Sequence, residues 1–300
     1  MTPPTYLVQP LAELRPSELV DTYEGLTFPP IERRAELRLI TEPLFGAAAL
    51  GEEGAVGLVA AKLRTPELAR VISLQVMPAH RARGLATHLV ARCEELAAER
   101  GAREIEGLYR TSWRSRDAIE RLLRTAGWSQ PQTRYLIGRG ATQSLGSLET
   151  LPRAELPPDL ELFPWQELAP AEERAILERQ EREGWFPQAL SPFQVAPRLE
   201  REISVGLRAG GEVAGWMIVH RLSHDTVQYS ALFVRDDLRR TGAARALVAA
   251  AIRRRLQNPA IRHGVFLVDA RNEAMLRFAE GPLRPLLTKV SELREARKVL

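Results

Sequence analysis

Two short stretches place backbone donors and arginines where a phosphorylated ligand could be held. Residues 76–90 read VMPAHRARGLATHLV, and residues 234–248 read VRDDLRRTGAARALV. In each, a strand-like run meets an Arg-x-x-Gly-x-Ala turn, and a helical pattern follows at once. The first N–H groups of a helix have no intrahelical partner. With the positive end of the helix dipole, they form a ready phosphate site. Arg81, Arg83, Arg239 and Arg240 add charge complementary to a pyrophosphate. Gly84 and Gly242 omit a Cβ that would obstruct a ligand's close approach. For either stretch alone, a plain structural turn is the competing reading. Neither contains Gly-x-Gly-x-x-Gly or Gly-Lys-Ser/Thr, so the dinucleotide and Walker patterns are excluded.

The duplication sharpens the reading. Val76, Arg81, Gly84, Ala86, Leu89 and Val90 correspond to Val234, Arg239, Gly242, Ala244, Leu247 and Val248, each 158 residues on. Gly57 maps onto Gly215 at the same offset, and PLAELRP (10–16) resembles PWQELAP (164–170). A period of about 155 residues is far too long for a solenoid and means two copies of one domain. Residues 139–158, rich in Gly, Ser, Thr and Pro, read as the linker. The expected domains are therefore 1–150 and 151–300.

Each copy reads as mixed α/β. In the first, strands are expected at 6–8, 45–50, 55–64, 69–77, 103–110 and 133–138, with helices at 16–24, 31–39, 85–101 and 116–128. The second repeats this with strands at 202–209, 213–222, 226–234, 263–270 and 286–293 and helices at 242–257 and 272–280. Strands outside a β-α-β core point to a mixed sheet flanked by helices.

Composition narrows the class. With 45% hydrophobic and 27% charged residues, the chain reads as a soluble globular protein. No apolar run reaches membrane length, and the N-terminus lacks the form of a signal peptide, so cytoplasmic location is expected. The single Cys93 allows no intramolecular disulfide, and no Cys/His cluster suggests a metal. Net charge is +4, and the Arg253–Arg255 run is expected to be a solvated helix cap rather than a nucleic-acid patch.

LQVMPAHRARGLATHLV resembles the acyl-CoA signature of the GNAT superfamily of N-acetyltransferases. LFVRDDLRRTGAARALV resembles it too, with Asp236 where Pro78 stands. The resemblance covers nearly the whole chain as a tandem pair of splayed, mostly antiparallel sheets flanked by helices. It implies acetyl-CoA as co-substrate, with its pyrophosphate on the N–H groups of Arg81, Ala82, Arg83, Gly84, Leu85 and Ala86. The alternative cradle is Arg239, Arg240, Thr241, Gly242, Ala243 and Ala244. The pantetheine arm would pair with Leu74–Val76, or with Leu232–Val234, as an added strand. A strand N–H would polarise the thioester carbonyl. Asn272 matches an Asn often found at the start of the following helix. The implied partner is a primary amine of a small molecule or peptide, which attacks the thioester directly, with the protein a monomer or homodimer and no nucleic acid or membrane involved. A non-catalytic acyl-CoA sensor or scaffold, and a mycothiol-synthase-like enzyme acting on a thiol precursor, are the alternatives.

The acid–base residues are less legible. An amine of pKa near 10.4 is protonated at pH 7, a cost of about 4–5 kcal/mol that a base or a depressed pKa must offset. Glu106, mid-strand, is a candidate base, with a solvent-facing carboxylate as its bland reading. The family's usual Tyr acid is missing from both copies: Leu123 stands four residues before Gly127-Trp128, and Phe278 and Ala279 occupy the second region. Tyr109 is a substitute acid. Cys93 reads as a buried small hydrophobe, since Ala251 replaces it in the second copy. Trp185, Phe186 and Phe193 either line an apolar acceptor pocket or pack the core. The fuller signature, with Pro78, favours the first copy as the working site; Asn272 argues for the second.

Overall fold

The computed structural model describes residues 6–23, 25–27, 43–52, 54–141, 156–281 and 283–300. The expected helix at 31–39 and the boundary near 150 lie outside the described residues. In chain order the elements begin β1 (Leu7–Leu14), α1 (Pro16–Thr22), β2 (Leu44–Gly51), β3 (Gly54–Thr65) and β4 (Leu68–Val76). Next come α2 (Leu85–Glu99), β5 (Glu104–Arg110), α3 (Arg116–Thr125) and β6 (Gln132–Ala141). There follow β7 (Leu160–Pro164), α4 (Pro170–Glu183), β8 (Val205–Ala209), β9 (Glu212–Ser223) and β10 (Thr226–Val234). The chain closes with α5 (Ala243–Leu256), β11 (His263–Asp269), α6 (Glu273–Glu280) and β12 (Lys289–Val299).

Two compact units result: Met1–Arg134 with Glu292–Leu300, and Tyr135–Ser291. In the first the strand order is β1-β2-β3-β4-β5-β12. β1 is longer than the expected 6–8 because it pairs with β2 from Leu7 to Leu14. Pro10 is tolerated there because the strand is an edge. Ala47 and Ala49 of β2 let α2 lie close, where Leu85, Leu89, Cys93 and Leu96 bury their helical stripe. Ala48 faces the other way, into a core with Leu19, Leu44 and Leu58. Gly101 follows α2 at φ 89°, and the Ala102 N–H reaches back to the Ala97 carbonyl, closing the helix end.

The second unit has the order β6-β11-β10-β9-β8-β7. α5 packs on one sheet face, its Leu247 in one core with Val219 and Val227. The opposite face holds Trp165, Trp216, Phe233 and Ile176 of α4. Register confirms the duplication. Gly57 pairs with Val76 as Gly215 pairs with Val234, and both β4 and β10 slip by one residue at the same place. Of the Arg253–Arg255 run, Arg255 is buried at 2% exposure rather than solvated, because it turns under α5 toward Gly264 and Tyr229.

The outer strand of each unit comes from the other half of the sequence. β12 pairs antiparallel with β5, and β6 with β11. Shape and charge explain the choice. Phe266 of β11 lies opposite Gly138 of β6, where a Cβ would meet the ring at 2.3 Å. On β5 the corresponding site is Gly107, and Ala296 of β12 sits opposite it. β12 also brings the cations: Arg297 reaches Glu106, Glu104 and Glu295, Lys298 holds Glu94, and Arg294 holds Glu120.

Glu106 lies at the centre of this arrangement, fully buried, with Arg64 at 3.1 Å, Arg70 at 2.5 Å and Arg297 at 3.4 Å. Removing one partner of a buried ion cluster leaves charge uncompensated. Glu106→Gln should therefore destabilise the protein by about 3 kcal/mol, tempered because the arginines keep some solvent. Urea unfolding checks this, and a change under about 0.5 kcal/mol would remove the carboxylate from its structural role.

Candidate active site

Each unit contains a wedge. β4 and β5 run parallel for only four residue pairs, Leu68↔Glu104 to Val71↔Gly107. β10 and β11 likewise pair only from Thr226↔His263 to Tyr229↔Phe266. Just beyond, the antiparallel ladder on the other side slips at Ile72 and at Ser230. A bulge bends its strand and strengthens the twist, so the neighbouring parallel strand is left behind. Leu74 and Val76, and likewise Leu232 and Val234, lie on the strand segments past the last parallel pair. An extended ligand arm can add to such an edge.

The glycine turns cap the wedges. Gly84 and Gly242 are the helix N-caps of α2 and α5, at φ 78° and 84°. That left-handed conformation requires glycine. At Gly84 the conformation, not lack of space, is the constraint: an added Cβ would meet only His88 at 4.0 Å. The N–H groups of Ala82, Arg83, Gly84, Leu85 and Ala86 have no acceptor among the described residues, and the first helical bonds come from Thr87 and His88 to the Gly84 carbonyl. Five consecutive free donors suit a diphosphate. Leu85 and Ala243 bury their side chains and can offer only backbone.

The second cradle is partly filled from within. The Arg239 N–H donates to the Asp236 carbonyl just as the Arg81 N–H donates to that of Pro78 in the first cradle, so neither arginine offers the expected amide. In the second cradle alone the Thr241 N–H also donates, to the Leu238 carbonyl. The Thr241 hydroxyl accepts from the Ala243 N–H at 3.4 Å, leaving Arg240, Gly242 and Ala244 of the expected donors open. Asp236 pairs with Arg239 at 2.5 Å, and Asp237 with Arg235. Two carboxylates at this turn oppose an anionic ligand. In the first cradle the arginines are tied differently. Arg81 Nε donates to the Val76 carbonyl, and Arg83 to the Tyr6 hydroxyl, which also contacts His80 Nδ1 at 3.0 Å. Tyr6 escaped the sequence reading because it is 77 residues from its arginine.

The expected acid and base are occupied. Glu106 faces arginines, not solvent: Oε1 accepts from Arg64 and Arg70, while Oε2 is buried with Arg297 at 3.4 Å as its ionic neighbour and no hydrogen bond. Tyr109 is buried and donates to Glu120 at 2.9 Å. Burial, and then that carboxylate, push its phenol up to about 12, too weak an acid for a departing thiolate of ordinary pKa. Burial likewise pushes the Cys93 thiol up to about 12, so no thiolate is available there. Asn272 is a helix cap: its Oδ1 accepts from the Met275 N–H. Trp185 and Phe186 pack edge-on against Trp216 as core. Among the described residues no group of three or more His, Cys, Asp or Glu is placed to hold a metal.

Beside that aromatic core, on the α4 face of the second unit, lies a polar cavity of about 230 Å³ reaching Ser230 of the bulge. His220 lines it, 7% exposed, with Nδ1 2.8 Å from Ser230 Oγ and Nε2 2.9 Å from the Gln194 carbonyl. A carbonyl only accepts, so Nε2 carries the proton and Nδ1 the lone pair. Burial lowers the imidazole pKa, and the Arg198 cation lowers it further against the Gln194 bond. Nothing local marks His220 in sequence, since only the strand register brings it to the bulge.

Two measurements follow. Asn272→Ala should cost about 1 kcal/mol of stability by chemical denaturation, as a lost cap does, and leave acyl-CoA affinity unchanged. His220 has a folded pKa below 6.5, so its neutral form contributes stability above pH 6.5 that is lost as pH falls through the depressed value. His220→Gln should accordingly shrink the stability difference between about pH 7.5 and 5.5. An unchanged difference would show that His220 titrates normally.

The Acetyltransferase (GNAT) family model matches residues 11–128 and again 161–281. A search of curated proteins finds no match. Among solved structures, a tandem GNAT protein from the clavulanic acid biosynthesis pathway is 16% identical, with 98% of each chain covered and a TM-score of 0.63. A GCN5-related N-acetyltransferase from Sphaerobacter thermophilus is 18% identical over 98% of this chain and 95% of that one, at 0.65. A third match, the glucosamine N-acetyltransferase region of a fungal multi-domain protein, is 16% identical at 0.66; the chain spans 38% of that protein's length. At these identities the likeness shows the fold, while the doubled family match shows descent. With its glycine cradles and splayed strands in duplicate, the chain belongs to the GNAT acetyltransferase family, whose members transfer acyl groups.

Proposed function

We propose that the protein transfers an acetyl group from acetyl-CoA to a primary amine of a small molecule or peptide by direct attack. We further propose that the first unit is its tighter coenzyme site. The observation that carries this is the run of five open amides from Ala82 to Ala86 at the N-terminus of α2. They would hold the diphosphate, and the β4 edge at Leu74–Val76 would hold the pantetheine arm. When bound, the coenzyme supplies an activated thioester carbonyl. The chain's own part is to fix that carbonyl against the wedge and to provide an acceptor with a free lone pair.

A non-catalytic acyl-CoA sensor is the second reading for the first unit taken alone. It is favoured by the engagement of Glu106 with arginines and of Tyr109 with Glu120.

Calorimetric titration with acetyl-CoA tests the assignment. Wild type should show a tighter and a weaker site. Gly84→Glu, which forces a side chain into φ 78° and sets a carboxylate at the cradle, should weaken the tighter one by about 100-fold or more, about 2.7 kcal/mol. Gly242→Glu should remove only the weaker. Absence of heat in wild type, or an unchanged tighter site in Gly84→Glu, would overturn it.

A further inference from the structure

The second unit's cavity gathers several polar side chains beside the bulge of β10. Arg198 Nε donates to the Arg221 carbonyl at 2.7 Å, and no carboxylate pairs with Arg198 among the described residues. The nearby Glu200 is spent on Arg221 through two hydrogen bonds, 2.6 and 2.9 Å. Arg198 is thus a half-buried cation with open donors, in a cavity it shares with Gln194, Gln228, His220 and Ser230. An unpaired buried guanidinium is costly, and a planar carboxylate is its natural partner. The lip of the cavity carries strain: Val195, β-branched, sits at φ 51°. Backbone strain of this kind clusters at ligand clamps.

Position matters as much as composition. Ser230 is the bulge residue where β10 leaves β11, and it also lines the cavity, with its hydroxyl against His220. By the shared register, the first unit has Ile72 at the place of Ser230 and Lys62 at that of His220. That unit therefore lacks both the hydroxyl and the imidazole.

We propose that this cavity is the working acceptor site, in which Arg198 binds a carboxylate and His220, through Ser230, deprotonates an amine of the same molecule, so the substrates are amino-acid-like. The inference rests on the acyl-transfer reading above and adds its acceptor class and its unit. The Ser230 hydroxyl, which donates to the Gln228 carbonyl at 3.2 Å, turns its single proton to His220 Nδ1, 2.8 Å away, and as that proton passes the ammonium gives one to Ser230 Oγ. The freed nitrogen lone pair attacks the thioester carbonyl carbon. The C–N bond forms, the C–S bond breaks with its electron pair on sulfur, and the nitrogen's surplus proton neutralises that thiolate. The products are an amide, a thiol and one proton, which His220 yields to solvent. Arg198 is the charged group facing the imidazole; the Glu200–Arg221 pair beside it is closed on itself.

The test has two arms on the full chain. Without coenzyme, the His220 ring is followed by NMR, with its signals assigned from His220→Gln. A panel of the common L-amino acids is added, and in parallel their decarboxylated amines. A fitting amino acid should raise the His220 titration midpoint by covering Arg198, and its amine should not. Arg198→Gln should abolish the response, and Arg198→Lys should restore part of it. With acetyl-CoA, thiol release should favour the amino acid over its amine by about 10- to 100-fold in kcat/KM, the strength of a charged hydrogen bond. Arg198→Gln should erase that preference through KM. Ser230→Ala and His220→Gln should lower kcat, and the latter should remove the acid limb of the pH profile. Gly242→Glu should abolish this turnover. Thiol release with no preference for a carboxylate overturns the pocket assignment alone. A His220 response without thiol release from any acceptor overturns the acyl-transfer reading and the acceptor role with it. No His220 response to any amino acid overturns the carboxylate site.

Discussion

The structure turns on where two parallel ladders stop. Backbone N–H and C=O groups must be paired or solvated, and parallel strands normally pair along their length. Here a one-residue slip at Ile72, and again at Ser230, bends the strand so that its parallel neighbour can follow for only four pairs. Past that point each unit presents an open strand edge, and the glycine-capped helix begins just beyond it. Everything proposed about binding and chemistry uses that opening. Closing it would leave two ordinary mixed sheets.

The two copies have diverged along different lines from this shared frame. The first keeps the more open glycine turn, with free amides from Ala82 to Ala86, because Pro78 supplies no carboxylate and no side chain fills it. Its polar groups near the wedge, however, have been recruited into holding strands together. Glu106 collects three arginines, one of them from the C-terminal strand, and Tyr109 leans on Glu120. The second copy has drawn Asp236, Asp237 and Thr241 into its turn, yet it retains a polar cavity with a neutral imidazole at the bulge. One copy keeps the more open glycine turn, and the other keeps the cavity with the imidazole.

The exchange of outer strands gives the duplication a structural consequence. A tandem pair could fold as two independent units, each closed by its own last strand. Large-against-small complementarity at Phe266 and Gly138, with the cations of β12 meeting the acidic groups around β5, selects the other pairing. Neither unit is then completed without the other half of the chain.

How much of this could be read in the residues themselves follows from the range of the forces involved. The strands from β2 to β5, the helices α2 and α5, and both glycine turns were legible because periodicity and φ > 0 are local demands. The internal offset of 158 residues then carried the register of one copy to the other. What the sequence could not determine was pairing at a distance. Glu106 read as solvent-facing because its three arginines lie 42, 36 and 191 residues away. Asn272 resembled a ligand group, but the amide it caps decides its role, and Arg255 looked like a helix cap until the sheet covered it. His220 had no marker at all: it became a base candidate only when β9 was laid against β10, bringing its ring to Ser230 and Arg198. Local propensity belongs to the chain as written, whereas burial and the electrostatic field exist only after distant segments have excluded water together.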